Sequence, residues 1–414
     1  MGREAAAGIS GYITDTPGIT GTLKSGIEDF IVEEIPVEVP RTPAGKYTIL
    51  KVRLTNWDTN RFLMYLARYL RISRKRITYC GTKDKRGITT QYFCVNAEIQ
   101  ADRINIRDAE ILESFRSDMM LNLGDLLGNR FTVDLKVEEH SIPLIRGTVE
   151  QMNQRGGFPN YFGLQRFGSI RTNTHKIGRL IVFGQYEKAA RLYLYDPEFD
   201  SEDYRINFAE HNDPAIALKE FPERLNFERS LLGYMVEHGS LEDAFTALPK
   251  TLSMMFVHAY QSYIFNRILS LRIEKYGSLI EPMPGDTALK ADRLFNADKS
   301  QEIQVNRLNS QKIASMCRND SMRVSIPLFG YDSIISSGEP GELESKILEE
   351  EKVVPDMFRI QGYSELSSRG ERRIISCKPV DFNVGEHGIL NFSLGRGIYA
   401  TSLIREITKG FSDQ

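Results

Sequence analysis

Residues 76–96 constrain the fold more than any other stretch of the chain. Arg-Ile-Thr-Tyr-Cys at 76–80 reads as a short strand, and 88–96, where Tyr92, Phe93 and Val95 mix with small and polar residues, reads as a second one. Between them, Gly81 and Gly87 bracket Thr82-Lys83-Asp84-Lys85-Arg86. A glycine-bounded loop between two strands lets another backbone come close. Cations on both sides of Asp84 stabilise its carboxylate, so this side chain is expected to be ionised and available as a base or nucleophile. From Arg71 to Arg86 the chain carries seven basic residues and one acid. Such a surface attracts phosphates, and a carboxylate kept inside it suggests chemistry on a polyanion. The plainer alternative is a solvated basic turn whose Asp balances charge.

The run Gly81-Thr82-Lys83-Asp84-Lys85-Arg86-Gly87-Ile88-Thr89-Thr90-Gln91 resembles the G-x-K-D-[KR]-x-x-x-T-x-Q signature of the TruD family of tRNA pseudouridine synthases. The resemblance puts the catalytic residue on Asp84. Its weight depends on whether other segments of that family follow in order.

At 414 residues the chain has room for two or three domains. No apolar run approaches a membrane span and the N-terminus has no signal-peptide pattern, so a cytoplasmic protein is expected. Cys80, Cys94, Cys317 and Cys377 show no Cys-x-x-Cys spacing, which points to neither zinc nor a disulfide framework. The net charge of −2 averages unlike blocks: residues 1–171 hold 24 Lys/Arg against 20 Asp/Glu, 172–372 hold 24 against 31, and 373–414 hold 5 against 4. Binding follows the local field, so the mildly basic outer segments can face nucleic acid around an acidic middle.

Residues 23–34 pass from a polar turn into a strand at Phe30 and resemble the family's L-K-x-x-P-E-D-F-x-V-E segment, with Gly26-Ile27 where x-Pro is usual. On that resemblance Lys24 is an active-site cation and Phe30 a substrate-contacting aromatic; read alone, they are a surface lysine and a core ring. Residues 47–54 form a strand pattern, and 57–70 an amphipathic helix capped by Asp58 or Thr59. Ser73 caps a basic turn, Arg74-Lys75-Arg76, which leads into the Asp84 loop. Arg74, Lys75, Arg76, Lys83, Lys85 and Arg86 are therefore the candidates for RNA-backbone contact. A strand follows at 130–137 and a helix at 142–154.

Three aromatics, two glycines, an amide pair and an Arg fall together in Pro159-Asn160-Tyr161-Phe162-Gly163-Leu164-Gln165-Arg166-Phe167-Gly168. Aromatics beside hydrogen-bonding side chains suit an unpaired base, and a packed loop with aromatic anchors is the alternative. The run contains the family's second signature, N-Y-F-G-x-Q-R-F-G. The resemblance makes Asn160 a hydrogen-bonding residue of the substrate site and sets Phe162 against the target nucleotide or Asp84.

Beyond residue 172, 178–193 reads as a helix broken at Gly184, 196–214 as a loop or a short exposed insertion, and 252–271 as a long helix on which His258 is structural. An acidic helix at 342–352 reads as a solvated face. Strands are expected at 372–379 and 388–394. Residues 395–407 then resemble the family's closing L-P-x-G-x-[FY]-A-T-S-x-x-R-E segment. Gly395 stands for the usual Pro and is expected to loosen the turn; Tyr399 takes the substrate-contacting aromatic position, and Arg405 is expected to hold the last helix to the core.

The resemblance implies an α+β protein: a mixed, mainly antiparallel catalytic domain from 1–171 and 373–414, with an inserted α/β domain at 172–372. It implies a tRNA pseudouridine synthase acting at position 13, with tRNA as partner, no metal, no small-molecule cofactor and no membrane, and a monomer. Asp84 would attack C1′, attack C6 or remove the C2′ proton, three routes that all need one ionised carboxylate. A non-catalytic RNA-binding module or RNA chaperone on the same scaffold is the competing reading.

Overall fold

The computed structural model describes residues 2–19, 26–83, 86–168 and 170–410. Lys24, Asp84 and Lys85, named above, lie outside the described residues. Strands β1 (Phe30–Pro36) and β2 (Tyr47–Thr55) are followed by helix α1 (Thr59–Leu70), and then by β3 (Ile77–Tyr79), β4 (Ile88–Val95), β5 (Ala109–Ser117), β6 (Leu126–Asp134) and α2 (Ile142–Gln154). Later come α3 (Lys250–Tyr276), β7 (Thr287–Ala291), β8 (Ala297–Gln304), β9 (Met322–Leu328) and β10 (Glu371–Ile374). The chain closes with β11 (Val380–Val384), β12 (Ile389–Gly395) and α4 (Ala400–Thr408).

Packing divides the chain into two compact units. The sheet unit comprises Tyr12–Asn160, Lys290–Asp298 and Ser376–Gln414; the helical unit comprises Met1–Gly11, Tyr161–Leu289 and Lys299–Ile375. Among the described residues, the sheet unit is built on eight strands in the order β11-β12-β6-β1-β4-β2-β5, with β3 pairing β4. The β1–β4 pair is parallel, and the neighbouring pairs are antiparallel. Alternation along the strands separates two cores. Leu50, Val52, Leu54, Phe93 and Val95 meet the apolar stripe of α1, formed by Phe62, Leu63 and Leu66. Ile49, Tyr92 and Cys94 pack instead with Cys80, Leu121 and Leu126.

Asp58 rather than Thr59 caps α1, its carboxylate accepting from the Arg61 N–H at 2.9 Å. Ser73 caps the basic 3₁₀ turn Arg74–Arg76. On α4 the Arg405 guanidinium lies 4.0 Å from the Tyr12 ring centroid, consistent with the docking role expected for it.

The helical unit carries long α3 and the four-stranded sheet β10-β9-β7-β8. Two expectations hold only in part here. Residues 196–214 contain a helix, Asp203–His211, held because Arg205 is buried against Glu228 at 3.0 Å and Phe208 packs on Phe221. The acidic helix Gly338–Glu351 is solvated only in part: Glu342, Glu349 and Glu350 are exposed, but Glu344 is buried and accepts from Ser336, and Glu351 pairs with Arg267 and Arg179. Charge-rich sequence looks solvent-exposed until partners distant in the chain are brought to it. Among the described residues no helix is long and apolar enough to cross a membrane.

Candidate active site

Strand β4 changes partners halfway along one edge. Residues Ile88–Thr90 pair with β1, whereas Phe93–Val95 pair with β3. At the fork the Tyr92 N–H has lost its strand partner, and the Glu34 carboxylate supplies the acceptor at 2.8 Å. The other oxygen of Glu34 takes the Lys83 ammonium at 2.5 Å, with side-chain exposures of 0% for Glu34 and 10% for Lys83. Burial pushes the Glu34 carboxyl above the ordinary carboxylate range, against the pull of Lys83 and the Tyr92 N–H. Lys83, expected on the RNA-facing surface, is thus turned inward. A buried carboxylate needed a counter-charge, and the adjacent loop provided it.

This pair anchors the loop that leaves β3. The Lys83 N–H also donates to Thr59 Oγ1 at 2.9 Å; that hydroxyl donates to Gln91 Oε1 at 3.0 Å, and Gln91 Nε2 donates to Thr89 Oγ1 at 2.9 Å. Lys83, Thr89 and Gln91 are three of the signature positions, and all are committed to holding the loop. At its far end Gly87 has φ +140°, and a Cβ there would stand 2.6 Å from the Phe30 carbonyl oxygen, so only glycine fits. The Asn56 N–H closes that end on the Gly87 carbonyl at 2.9 Å. Residues 83 and 86, on either side of Asp84 and Lys85, are therefore carried by a braced segment, with Arg86 exposed.

Phe30 begins β1 beside this loop, half-buried, its ring edge-on to Phe131 at 6.1 Å. The approach to it is set by Asp29, which is buried, accepts from the Gly26 N–H at 2.6 Å and pairs with Lys136 at 2.9 Å. Cys80 at the loop's start has its thiol pushed up to about 12, chiefly by burial, and is no nucleophile at neutral pH.

Tyr399 is half-buried at the capping position of α4. The turn before it is pinned rather than loose. A Cβ on Gly395 would collide with the Leu294 carbonyl oxygen and come within 2.8 Å of Asn296 Oδ1. That Oδ1 accepts from the Arg396 N–H at 3.0 Å, while Asn296 Nδ2 donates to the Leu127 carbonyl at 2.7 Å. The Arg396 guanidinium donates to the Gly124 carbonyl at 3.1 Å, and the Gly124 N–H donates to the Cys80 carbonyl at 2.8 Å. A short chain of hydrogen bonds therefore joins the turn before Tyr399 to the start of the Asp84 loop.

Of the cations expected to meet RNA, Lys75 is exposed. The Arg74 guanidinium donates to the Ile77 carbonyl at 2.9 Å and lies over Tyr79, and that of Arg76 donates to the Asn96 carbonyl. The second signature divides between the units. Asn160 is buried at the end of a stretch of the sheet unit. Phe162 belongs to the helical unit, where its N–H donates to Asn266 Oδ1 at 2.9 Å and its carbonyl accepts from Asn266 Nδ2 at 3.0 Å. Its buried ring meets Phe265 edge-on and has the Arg373 guanidinium 4.1 Å from its centroid. His258 stays a helix residue, its imidazole pushed by burial toward the neutral form.

Glu34, Asn296 and Gly124 were missed in the sequence. For Glu34 a signal existed: the alternation of β1 puts it on the same inward side as Val32. Asn296 carried none, because its partners are 100 and 169 residues away.

Comparison with known proteins bears on the whole chain. The profile of the family described as "tRNA pseudouridine synthase D (TruD)" matches residues 6–407. A protein of Picrophilus torridus named "Probable tRNA pseudouridine synthase D" is 49% identical over 403 residues, covering 97% of each chain. A protein of Thermoplasma acidophilum with the same name is 52% identical over 382 residues, covering 92% of each. The crystal structure of a putative tRNA pseudouridine synthase D from Methanosarcina mazei superposes with a TM-score of 0.82 at 35% identity, covering 99% of this chain and 98% of that one. Three sequence segments in family order, a fork-braced loop built from the first of them, and full-length similarity in sequence and fold agree: the chain belongs to the TruD family of tRNA pseudouridine synthases.

Proposed function

We propose that this protein isomerises uridine to pseudouridine in tRNA, at position 13, with Asp84 as its catalytic carboxylate. The observation that carries the reading is the use made of the first signature: Lys83, Thr89 and Gln91 are spent on bracing the loop from within. Flanks held this firmly on either side of position 84 suit a reaction that needs one carboxylate at a fixed distance from a sugar. The C1′–N1 bond breaks, the uracil rotates, C1′–C5 forms, and the C5 proton is lost as N1 gains one. Nothing is oxidised and no group enters from outside, so the chemistry calls for no cofactor. Asp84 acts at C1′, at C6 or on the C2′ proton; each route uses its ionised form.

In this reading Lys24 supplies a cation, and Phe30 and Tyr399 the aromatic surface, with Asn160 as hydrogen-bonding partner. Extruding the nucleotide costs a few kcal/mol, and stacking at roughly 1–3 kcal/mol per base offsets it. The catalytic domain is residues 1–171 with 373–414, and 172–372 is an insertion; the sheet unit supports the main parts of that division, while Met1–Gly11 and 161–171 pack with the helical unit and Lys290–Asp298 with the sheet unit. The enzyme works as a cytoplasmic monomer on tRNA, with Arg74, Lys75, Arg76, Lys85 and Arg86 toward the RNA backbone.

Asp84→Asn keeps the shape of the side chain and removes its charge and basicity. Tritium release from C5-labelled uridine in tRNA should vanish, while tRNA binding in a filter assay survives or strengthens. Wild-type release from the Asn variant would overturn the assignment of Asp84. Absence of release from the unaltered protein would favour the binding-module reading.

A further inference from the structure

We infer that the outer face of α1 is a track for the phosphodiester backbone of the RNA substrate, beyond the nucleotide that reacts; this rests on the function proposed above. The helix presents Arg61, Met64, Tyr65, Arg68 and Tyr69 outward, with Arg71 following its last turn. Met64 is 58% exposed, Tyr65 42% and Tyr69 45%, an unusual concentration of large apolar surface for a helix whose other side is fully used in the core.

The charges on this face are equally unusual. From residue 59 to residue 76, the helix and the basic turn after it, there are six basic residues and no acid. A helix surface is ordinarily stabilised by acids in its first turn and by opposite charges four residues apart. The first turn of α1 has no acid. Other exposed cations of the sheet unit do have carboxylate partners: Arg41 pairs with Glu113, Arg53 with Glu110 and Arg107 with Asp108. Among the described residues neither the Arg61 nor the Arg68 guanidinium has a carboxylate within ion-pair distance.

Both are held by rings instead. Arg61 lies 5.4 Å from the Trp57 centroid and 5.8 Å from that of Tyr65, and Arg68 lies 5.8 Å from Tyr65 on its own side. Trp57 is fixed through its indole N–H to the Arg107 carbonyl at 3.1 Å, and Tyr69 through its hydroxyl to the Arg103 carbonyl. Guanidinium groups placed against rings in this way keep N–H donors for phosphate and lose little freedom on binding it. The face also starts at the right place, since Thr59 in the first turn accepts from Lys83 in the Asp84 loop. From there α1 runs about 18 Å to the basic turn at Arg74–Arg76. The chemistry that fits is a polyanion in extended contact, with bases or sugars lying against Tyr65 and Met64.

The test is a titration of unmodified tRNA against full-length protein between about 50 and 200 mM salt. Arg61→Gln/Arg68→Gln should reduce the slope of log K against log salt by about 1.4–1.8, two phosphate contacts' worth, and weaken binding at least tenfold near 0.1 M. Arg61→Lys/Arg68→Lys should restore the slope. Tyr65→Ala should weaken binding without changing the slope. Arg53→Gln, at a cation compensated by Glu110, should leave the slope as it was. A Gln double variant that stays folded by thermal melt and keeps the wild-type slope overturns the track and leaves the proposed function standing. A wild-type protein whose tRNA binding ignores salt also overturns the track, whereas no tritium release from the unaltered protein overturns the proposed function on which it rests.

Discussion

The two signature segments are used in opposite ways. In the first, polar side chains are buried as braces: Lys83 on Glu34, and Lys83 and Gln91 on Thr59 of the neighbouring helix, with Gln91 also on Thr89. In the second, large rings and backbone are what is fixed. Tyr161 donates its hydroxyl to the Ser10 carbonyl at 2.8 Å, and both backbone groups of Phe162 are held by Asn266, whose amide also reaches the Ala7 carbonyl at 3.0 Å. Residue types that look like a base-reading set can therefore serve mainly to lock a chain segment in its own unit. The first segment spends its interior residues on steadying the loop and leaves a charged position, Arg86, facing out; the second buries its aromatic and clamps it.

The largest test of this contrast is Glu34→Ala. It leaves the Lys83 ammonium nearly buried without its partner and the Tyr92 N–H unsatisfied, which should cost about 3–5 kcal/mol in chemical denaturation and collapse pseudouridine formation. The paired change Glu34→Leu/Lys83→Met should recover most of the stability but not the activity, because the loop loses its anchor. Recovery of both would mean that the brace does not position the loop.

Phe162→Leu comes next. A clamped core ring should lose about 1–2 kcal/mol of stability, with the loss read as a lower Tm. Phe30→Leu, half-buried at the start of β1, should move KM more than Tm. The reverse pattern would return Phe162 to the substrate and break the contrast. Asn296→Ala should cost about 1 kcal/mol, since it removes acceptor and donor from the turn before Tyr399. Its sharper readout is a fall in kcat with unchanged tRNA affinity, in a single-turnover assay.

The smallest effect is on pH dependence. Burial holds the Glu34 carboxyl above its ordinary value of 4.5, so over the window just above 4.5 the folded chain keeps a proton that the unfolded chain has released. Stability contributed by this group is therefore lost as pH rises through that window. Glu34→Gln should flatten the curve of unfolding free energy against pH there, in a series of denaturant melts.

Much of the local structure was legible without coordinates. The helix at 142–154, a cap at Asp58 or Thr59, the Ser73 cap, and the strands around the Asp84 loop follow from periodicity, capping chemistry and β-branched content, all of which act over a few residues. The order of the three family segments was likewise readable, because it is a property of the string. What tertiary structure alone decided is which polar groups go inside. Lys83 looked like one cation among six, and Gly395 like slack in a turn. Glu34, 49 residues from Lys83 in the chain, makes the first a buried counter-ion, and Asn296, 100 residues from Arg396, makes the second a close-packed joint. A charge's own sequence neighbourhood says whether it can be solvated; whether it is buried depends on a partner that only folding brings within hydrogen-bond reach.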